Sequence, residues 1–320
     1  MMRTTISILL VALINVQCTA QKKQKITIGF YNVENLFDTL DTPNKQDQEF
    51  LPTSIQNWSS ERYWTKIDHI NKVIKALNKP IILGMCEVEN KAVVQDIVDR
   101  GELKDNYSVL HYESLDARGI DNALIYNQSV LTLLDSGILR FNMPQGSTPS
   151  RDILWGKFTH DSDTLFAMIN HWPSRRGGQV ESEPKRLIAA TTAKKFIDSL
   201  LGSNKHSEII FMGDLNDHPD NLSAEMISSV LKPMINPESG LFGGSHNYRG
   251  EWGVLDHIMV SKGFLKKGGI SAVKKSGKIV SEEFMIDEYK GNKVPYRTYG
   301  GKKYLNGYSD HFPVIIEVSY

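Results

Sequence analysis

The chain has 320 residues, 40% of them hydrophobic and 23% charged, with 37 basic side chains balancing 37 acidic ones. That composition excludes a disordered or fibrous protein and suits one large soluble domain with a sizeable core. A net charge of zero also excludes a global pull toward nucleic acid, so an anionic substrate has to be held by a local patch or a metal.

The first stretch, MMRTTISILLVALINVQCTAQKKQ, carries one early Arg, an apolar run over about residues 6–16, and small residues before a polar segment. This layout predicts a signal peptide over residues 1–20, cleaved after Ala20, and an exported (periplasmic or extracellular) protein whose single domain spans 21–320. The alternative is a lipid anchor on Cys18, which Gln17 before it fits poorly. Cleavage removes Arg3 and Cys18, so the mature chain carries a net charge of −1 and only Cys86. Cys86 lies in the apolar run IILGMC and reads as a small buried side chain rather than a catalytic thiol.

From Lys25 onward, short apolar runs alternate with segments of helical period. KITIGFYN, PIILGMCE, DNALIYN, TLFAMINHW, EIIFMGDLND, VLDHIMVS and DHFPVIIEVS read as strands, several continuous enough to be buried on both faces. Residues 62–77 place Ile67, Ile70, Ile74 and Leu77 on one face, and residues 186–200 do the same with Leu187, Ala190, Ala193, Phe196 and Ile197. Both predict amphipathic helices covering sheets. Two polar stretches, 38–60 and 262–303, read as long surface insertions that either line a substrate groove or are solvated loops.

The predicted strand ends carry an unusual set of polar residues: Asn32 and Glu34, Glu87, Asn170 and His171, Asp214 and Asn216, Asp256 and His257, Asp310 and His311. Oxygen ligands and imidazoles without a cysteine cluster favour Mg²⁺, with Mn²⁺ or Ca²⁺ as alternatives, over zinc. In GDLND, the Gly is expected to free the chain for a turn, with Asp217 and His218 shaping that turn. Asp121 either orients His171 or begins a strand. Arg175 and Arg176, in WPSRRGG, are candidate phosphate contacts, and Arg118, Arg151 and Arg249 are further basic candidates.

GDLND, NHWPSR, LDHIMVS and SDHFPV, taken in that order, resemble the endonuclease/exonuclease/phosphatase superfamily over about residues 25–320. The resemblance implies a four-layer α/β sandwich with two packed mixed sheets flanked by helices. It also implies a catalytic domain that hydrolyses phosphate esters with a divalent metal. Residue by residue, it implies metal binding by Glu87, Asn32 and Asp310, with Glu34 as a further acidic candidate. Asp214 matches the group that activates water and Asn216 the amide that helps hold it. His311, held by Asp256, matches the imidazole facing the phosphate, and His171 with Asn170 a second phosphate-contacting pair.

The expected partner is a phosphate-ester substrate, with DNA cleaved by an endonuclease as the first reading. No obligate protein partner and no membrane span in the mature chain are expected. The alternatives are a phosphomonoesterase, or a sphingomyelin or phospholipid phosphodiesterase, which would need an exposed apolar loop built from Trp58, Trp64 or Trp252. An inactive binding protein is disfavoured, because Glu87, Asp214, Asn216, Asp256, Asp310 and His311 are all present.

Overall fold

The computed structural model describes residues 26–266 and 268–319, so the expected signal peptide and Cys18 lie outside the described residues. The first part of the chain supplies strands β1 (Ile26–Leu36), β2 (Ile82–Val88), β3 (Tyr107–His111) and β4 (Asp121–Asn127), with helices α1 (Ser60–Ala76) and α2 (Lys91–Arg100) between them. Strands β5 (Thr132–Leu139), β6 (Ile153–His160), β7 (Asp163–His171) and β8 (Glu208–Asp214) follow, with helix α3 (Gln179–Ser203) joining the last two. Then come α4 (Leu222–Ser228), β9 (Lys232–Pro233), a hairpin of β10 (His246–Tyr248) and β11 (Glu251–Gly253), and β12 (Asp256–Val260). The chain closes with short strands β13 (Ser271–Ala272) and β14 (Lys278–Ile279), hairpins β15 (Ile286–Tyr289) with β16 (Asn292–Pro295) and β17 (Tyr299–Gly300) with β18 (Lys303–Tyr304), and β19 (Val314–Ser319).

Two mixed sheets result. One runs β13-β19-β1-β2-β4-β3, with β14 also on β19; the other runs β5-β6-β7-β8-β12-β9. The parallel pairs β1–β2 and β7–β8 are central to the two sheets. Strands there are covered on both faces, which is why KITIGF and EIIFM read as unbroken apolar runs. Residues of β1, β2, β4 and β19 meet those of β7, β8 and β12 between the sheets. Helices α1 and α2 pack on the outside of the first sheet through Ile67, Ile70, Val93 and Ile97. On the second sheet, α3 and α4 bury Ala189, Ala193, Ile197 and Ile227 in a separate apolar cluster. The expected four-layer sandwich is what forms, and Cys86 is fully buried within it.

Both predicted insertions are folded. Segment 38–60 wraps around Asp47, which is 2% exposed and accepts Thr42 N at 2.9 Å and Gln48 Nε2 at 3.2 Å. Lys45 Nζ and Gln46 N tie it to the backbone carbonyls of Ser114, Asp116 and Ala117. Segment 262–303 departs further from the solvated reading. It adds β13 and β14 to the first sheet and buries Ile270, Ile279 and Met285, and residues 297–299 reach the acidic centre.

The tryptophans do not gather into an exposed loop. Trp58 is 1% exposed and donates Nε1 to Phe37 O at 3.0 Å, and Trp252 stacks on Phe242 and Phe312. Trp64 lies beside Tyr63 with the Arg100 guanidinium over its ring. Trp58→Ala is therefore expected to cost about 3–5 kcal/mol through the cavity it leaves. Urea denaturation reads this directly, and an unchanged midpoint would contradict the anchoring role.

Candidate active site

The centre begins with one row across the second sheet. His171 on β7 pairs in register with Asp214 on β8, and Asp214 pairs with Asp256 on β12. Residues opposite each other in register share a face, so three adjacent strands present an imidazole and two carboxylates side by side. Gly213, one position earlier, serves close approach rather than a turn. A Cβ there would lie 2.3 Å from Asn170 O on the neighbouring strand. The reversal itself falls to Asn216, whose φ of 51° is left-handed.

Asn32, at the far end of β1, links the two sheets: its Nδ2 donates to Asp214 Oδ2 at 3.1 Å and to Glu87 Oε1 at 3.4 Å. Glu87 is aimed by Asn35 N, which donates to its other oxygen at 3.0 Å. Pairing slips by two residues after Asn32 on β1 and by one after Cys86 on β2. Glu34, Asn35 and Glu87 all have φ near 50–60° there. Such bulges re-aim side chains at the cost of backbone strain, and held conformations of this kind gather at functional sites.

His311 enters from the loop before β19. Its Nδ1 is 2.7 Å from Asp256 Oδ2, and its Nε2 is 3.9 Å from Asp214 Oδ2. His171 Nε2 is 3.8 Å from both Asp214 Oδ2 and Glu87 Oε1. These separations are too long for hydrogen bonds and leave room for a bridging water, ion or phosphoryl oxygen. Burial pushes the His311 imidazole down, but Asp256 and Asp214 outweigh it and hold the group well above the usual histidine range. Burial raises Asp214 to about 7, with Asp256 and Glu87 pushing the same way and His311 opposing. Burial and the nearby Arg151 and Arg118 keep His171 well below the usual range, so it is neutral.

Four supporting residues were not singled out in the sequence. Arg297 Nε donates to Glu34 Oε1 at 3.2 Å and its Nη2 to Asp310 Oδ2 at 3.0 Å, bridging two acids. Lys66 is 1% exposed and donates to Thr298 Oγ1 and Tyr308 O. Burial lowers its ammonium to about 8, against the pull of Glu34, Asp310 and Glu87. Its signal was available: Tyr63, Lys66, Ile70 and Val73 follow helical spacing, so a lysine sits in an apolar stripe. His246 packs its ring 4.6 Å from that of His311. Ser309 Oγ donates to Asn32 O at 2.7 Å and accepts His311 N, fixing the last motif against β1.

Several expected roles need correction. Glu34 does not stand free for a metal: its second oxygen accepts Thr298 N at 2.6 Å, so both oxygens hold the 297–299 loop. Asn170 is fully buried, donates to Met212 O and accepts Trp172 Nε1, which leaves it no surface for a phosphate. Asp121 orients His111, at 3.1 Å, and not His171. Arg175 is committed to the GDLND turn through Asn216 O, Asp217 Oδ1 and Asn221 Oδ1. Asn216 reaches Asp214 through its backbone N and places Nδ2 on Trp172 O. Arg118 is held by Asp116, while Arg176 is exposed.

The donor set fits a hard divalent cation. Glu87 is partly exposed and oriented by two hydrogen bonds, Asp310 is partly exposed, and the crowding that raises Asp214 is what a bound cation relieves. Candidate ligand atoms of Asp214, Asp256 and His311, and of His246, Asp310 and His311, lie within 4.8 Å of one another in each set.

The turn that carries Asp214 and Asn216 rests on Asp217. This residue is 1% exposed and contacts Arg186 Nε at 2.7 Å, Arg175 Nη2 at 3.1 Å and Ser223 Oγ at 2.6 Å. Arg186 is itself fully buried. Asp217→Ala is therefore expected to destabilise the fold by about 3–5 kcal/mol, because it leaves a buried guanidinium without its partner. Chemical denaturation measures the loss, and a change under about 1 kcal/mol, as at a surface pair, would refute the anchor.

Comparison with known proteins shows the family and the fold. The sequence profile of the Endonuclease/Exonuclease/phosphatase family matches residues 27–320. No curated protein matches the chain. Among solved structures, a Bacteroides thetaiotaomicron mannosyl-6-phosphatase aligns with a TM-score of 0.59 at 15% identity, covering 92% of this chain and 100% of that one. The human Nocturnin catalytic domain aligns at 0.57 and 15% identity, covering 92% and 94%. Truncated Caenorhabditis elegans TDP2 aligns at 0.55 and 15%, covering 92% and 98%. Likeness at this identity shows the fold, while the profile match spans nearly the whole chain. The chain thus belongs to the endonuclease/exonuclease/phosphatase family, whose members hydrolyse phosphoester bonds.

Proposed function

We propose that the protein is an exported, Mg²⁺-dependent hydrolase of small phosphate esters, with residues 21–320 as its catalytic domain. Mn²⁺ and Ca²⁺ are the alternative ions. The observation that carries the reaction is the convergence on Asp214 Oδ2 of Asn32 at 3.1 Å, His171 at 3.8 Å and His311 at 3.9 Å. A cation held by Glu87 and Asp310, with Asn32 beside them, supplies neutralisation of charge on the phosphoryl oxygens. Asp214, whose Oδ2 faces both His171 and His311, is the carboxylate placed to take the proton of the attacking water. His311, held protonated by Asp256, and neutral His171 border the space for the phosphoryl group.

A nuclease acting on DNA is the reading the sequence favoured. It needs a run of available cations to follow a phosphate backbone. Most of the candidate arginines are committed elsewhere: Arg175 to the turn, Arg151 to Asp116 and Trp172 O, Arg118 to Asp116, and Arg249 over the ring of Tyr248. That supports a small substrate over a duplex, and the likeness to a mannosyl-6-phosphatase agrees with it. A lipid substrate is disfavoured by the buried Trp58 and the stacked Trp252. Among the described residues no helix is long and apolar enough to cross a membrane.

Purified residues 21–320 with Mg²⁺ are expected to release phosphate from small monoesters, to stop in EDTA, and to leave plasmid DNA intact. Glu87→Ala, Asp214→Ala and His311→Ala should each lower turnover by roughly 10²–10⁴-fold while remaining folded. Metal-dependent nicking of the plasmid would restore the nuclease reading, and near-normal turnover in folded Asp214→Ala would reject the mechanism.

A further inference from the structure

Beside the Asp214 centre lies a cleft of about 530 Å³, walled by the segment 46–56 on one side and 297–301 on the other. Its volume is that of a pocket for one small molecule. Glu34 and Asn35 line it. Asn35 N also holds Glu87, and Arg297 in its wall also holds Asp310, so two residues of the cleft bond the acidic cluster directly.

The wall chemistry narrows the occupant. Aromatic faces are nearly absent: Phe37 is 2% and Tyr299 8% exposed, and Phe50 stacks on Phe37 at 4.1 Å and meets Trp58 edge-on. A nucleobase would find little to stack on, and an acyl chain would find few apolar walls. Side-chain amides recur in the wall, from Asn35, Gln46, Gln48 and Gln56, beside Thr298 and Glu49, with Gln48 Nε2 already bonded to Asp41, Lys45 O and Asp47. Amides donate and accept at once, which matches hydroxyl groups that also do both. Gln56 Oε1 is buried without a hydrogen-bond partner, while its Nε2 is fixed on Glu49 at 2.7 Å. Arg176 adds positive charge to the wall, while Arg118 and Arg297 there are paired with Asp116, Glu34 and Asp310.

We propose that this cleft binds an uncharged, hydroxyl-rich group of the substrate, a glycosyl or polyol moiety of one or two rings, with its phosphate at the Asp214 centre. This rests on the reading of the centre as a phosphoester hydrolase and adds the class of group that the phosphate leaves. Most of the cleft wall comes from the two insertions, and Glu34, Asn35, Phe37, Arg118 and Arg176 complete it.

The test compares kcat/KM with Mg²⁺ for glucose 6-phosphate and mannose 6-phosphate against p-nitrophenyl phosphate and thymidine 5′-monophosphate. A hexose phosphate is expected to lead both by about tenfold or more, and Gln46→Trp, at an exposed position that fills the cleft, should cut that preference about tenfold. Gln56→Ala should cut it as well. Equal or better turnover of the nucleotide or the aromatic ester, or a preference unchanged in Gln46→Trp, overturns the proposal. Should the wild type hydrolyse none of the four, the hydrolase reading fails. Calorimetric titration of the same sugar phosphates then decides the cleft: binding abolished by Gln46→Trp supports it, and no binding to the wild type refutes it.

Discussion

Asp214 and Asp256 are opposite one another on β8 and β12, both buried, in a sheet that cannot move them apart. Burial makes charge on Asp214 costly, and the Asp256 carboxylate opposite adds to that cost. His311 resolves this by bonding Asp256 at Nδ1 and facing Asp214 with Nε2. The arrangement accounts for both shifted groups, an imidazole held protonated and a carboxyl lifted to about 7. It also explains why the last motif must be carried back to the centre: the pair is complete only once Ser309 has locked that loop onto β1.

Around this pair the protein builds rigidity at some local expense. Left-handed backbone at Glu34, Asn35, Glu87 and Asn216 would relax without support. Asp217, with Arg175, Arg186 and Ser223, clamps the turn beyond Asp214. On the other side, Glu34, Arg297, Asp310 and Lys66 form a second charged layer that holds the 297–299 loop over the acidic cluster. A buried lysine beneath three carboxylates offsets part of their repulsion before any cation arrives.

The strand ends were legible because each polar pair follows an apolar run: Asp214 after IIFMG, His171 after FAMIN, Asp310 and His311 before FPVII. The same alternation gave an α/β fold with several buried strands, while the four-layer arrangement came from the resemblance of the motifs. What it could not give was the set of partners made by distant chain segments. Glu34 meets Arg297 and Lys66 meets Thr298 across more than 200 residues, and neither Arg297 nor Thr298 stands at the end of an apolar run. Arg175 looked available because a basic loop next to a histidine suits phosphate; the acceptors that occupy it, Asn216 O, the Asp217 carboxylate and the Asn221 amide, come from the GDLND turn and the residues after it. Gly213 was misread for a related reason, since its need is set by the neighbouring strand and not by its own φ.

Family membership makes the chain a phosphoester hydrolase, and the bond is proposed to sit at this centre, beside a cleft lined with amides and a few held arginines. The central claim is positional: the phosphoryl group sits where His171, His311 and Asp214 face one another at 3.8–3.9 Å. A crystal structure of the protein with Mg²⁺ and inorganic phosphate tests it most directly. The account predicts phosphate density bordered by His171 and His311, with the cation on Glu87 and Asp310. Phosphate bound elsewhere, or a cation that avoids Glu87, would contradict it.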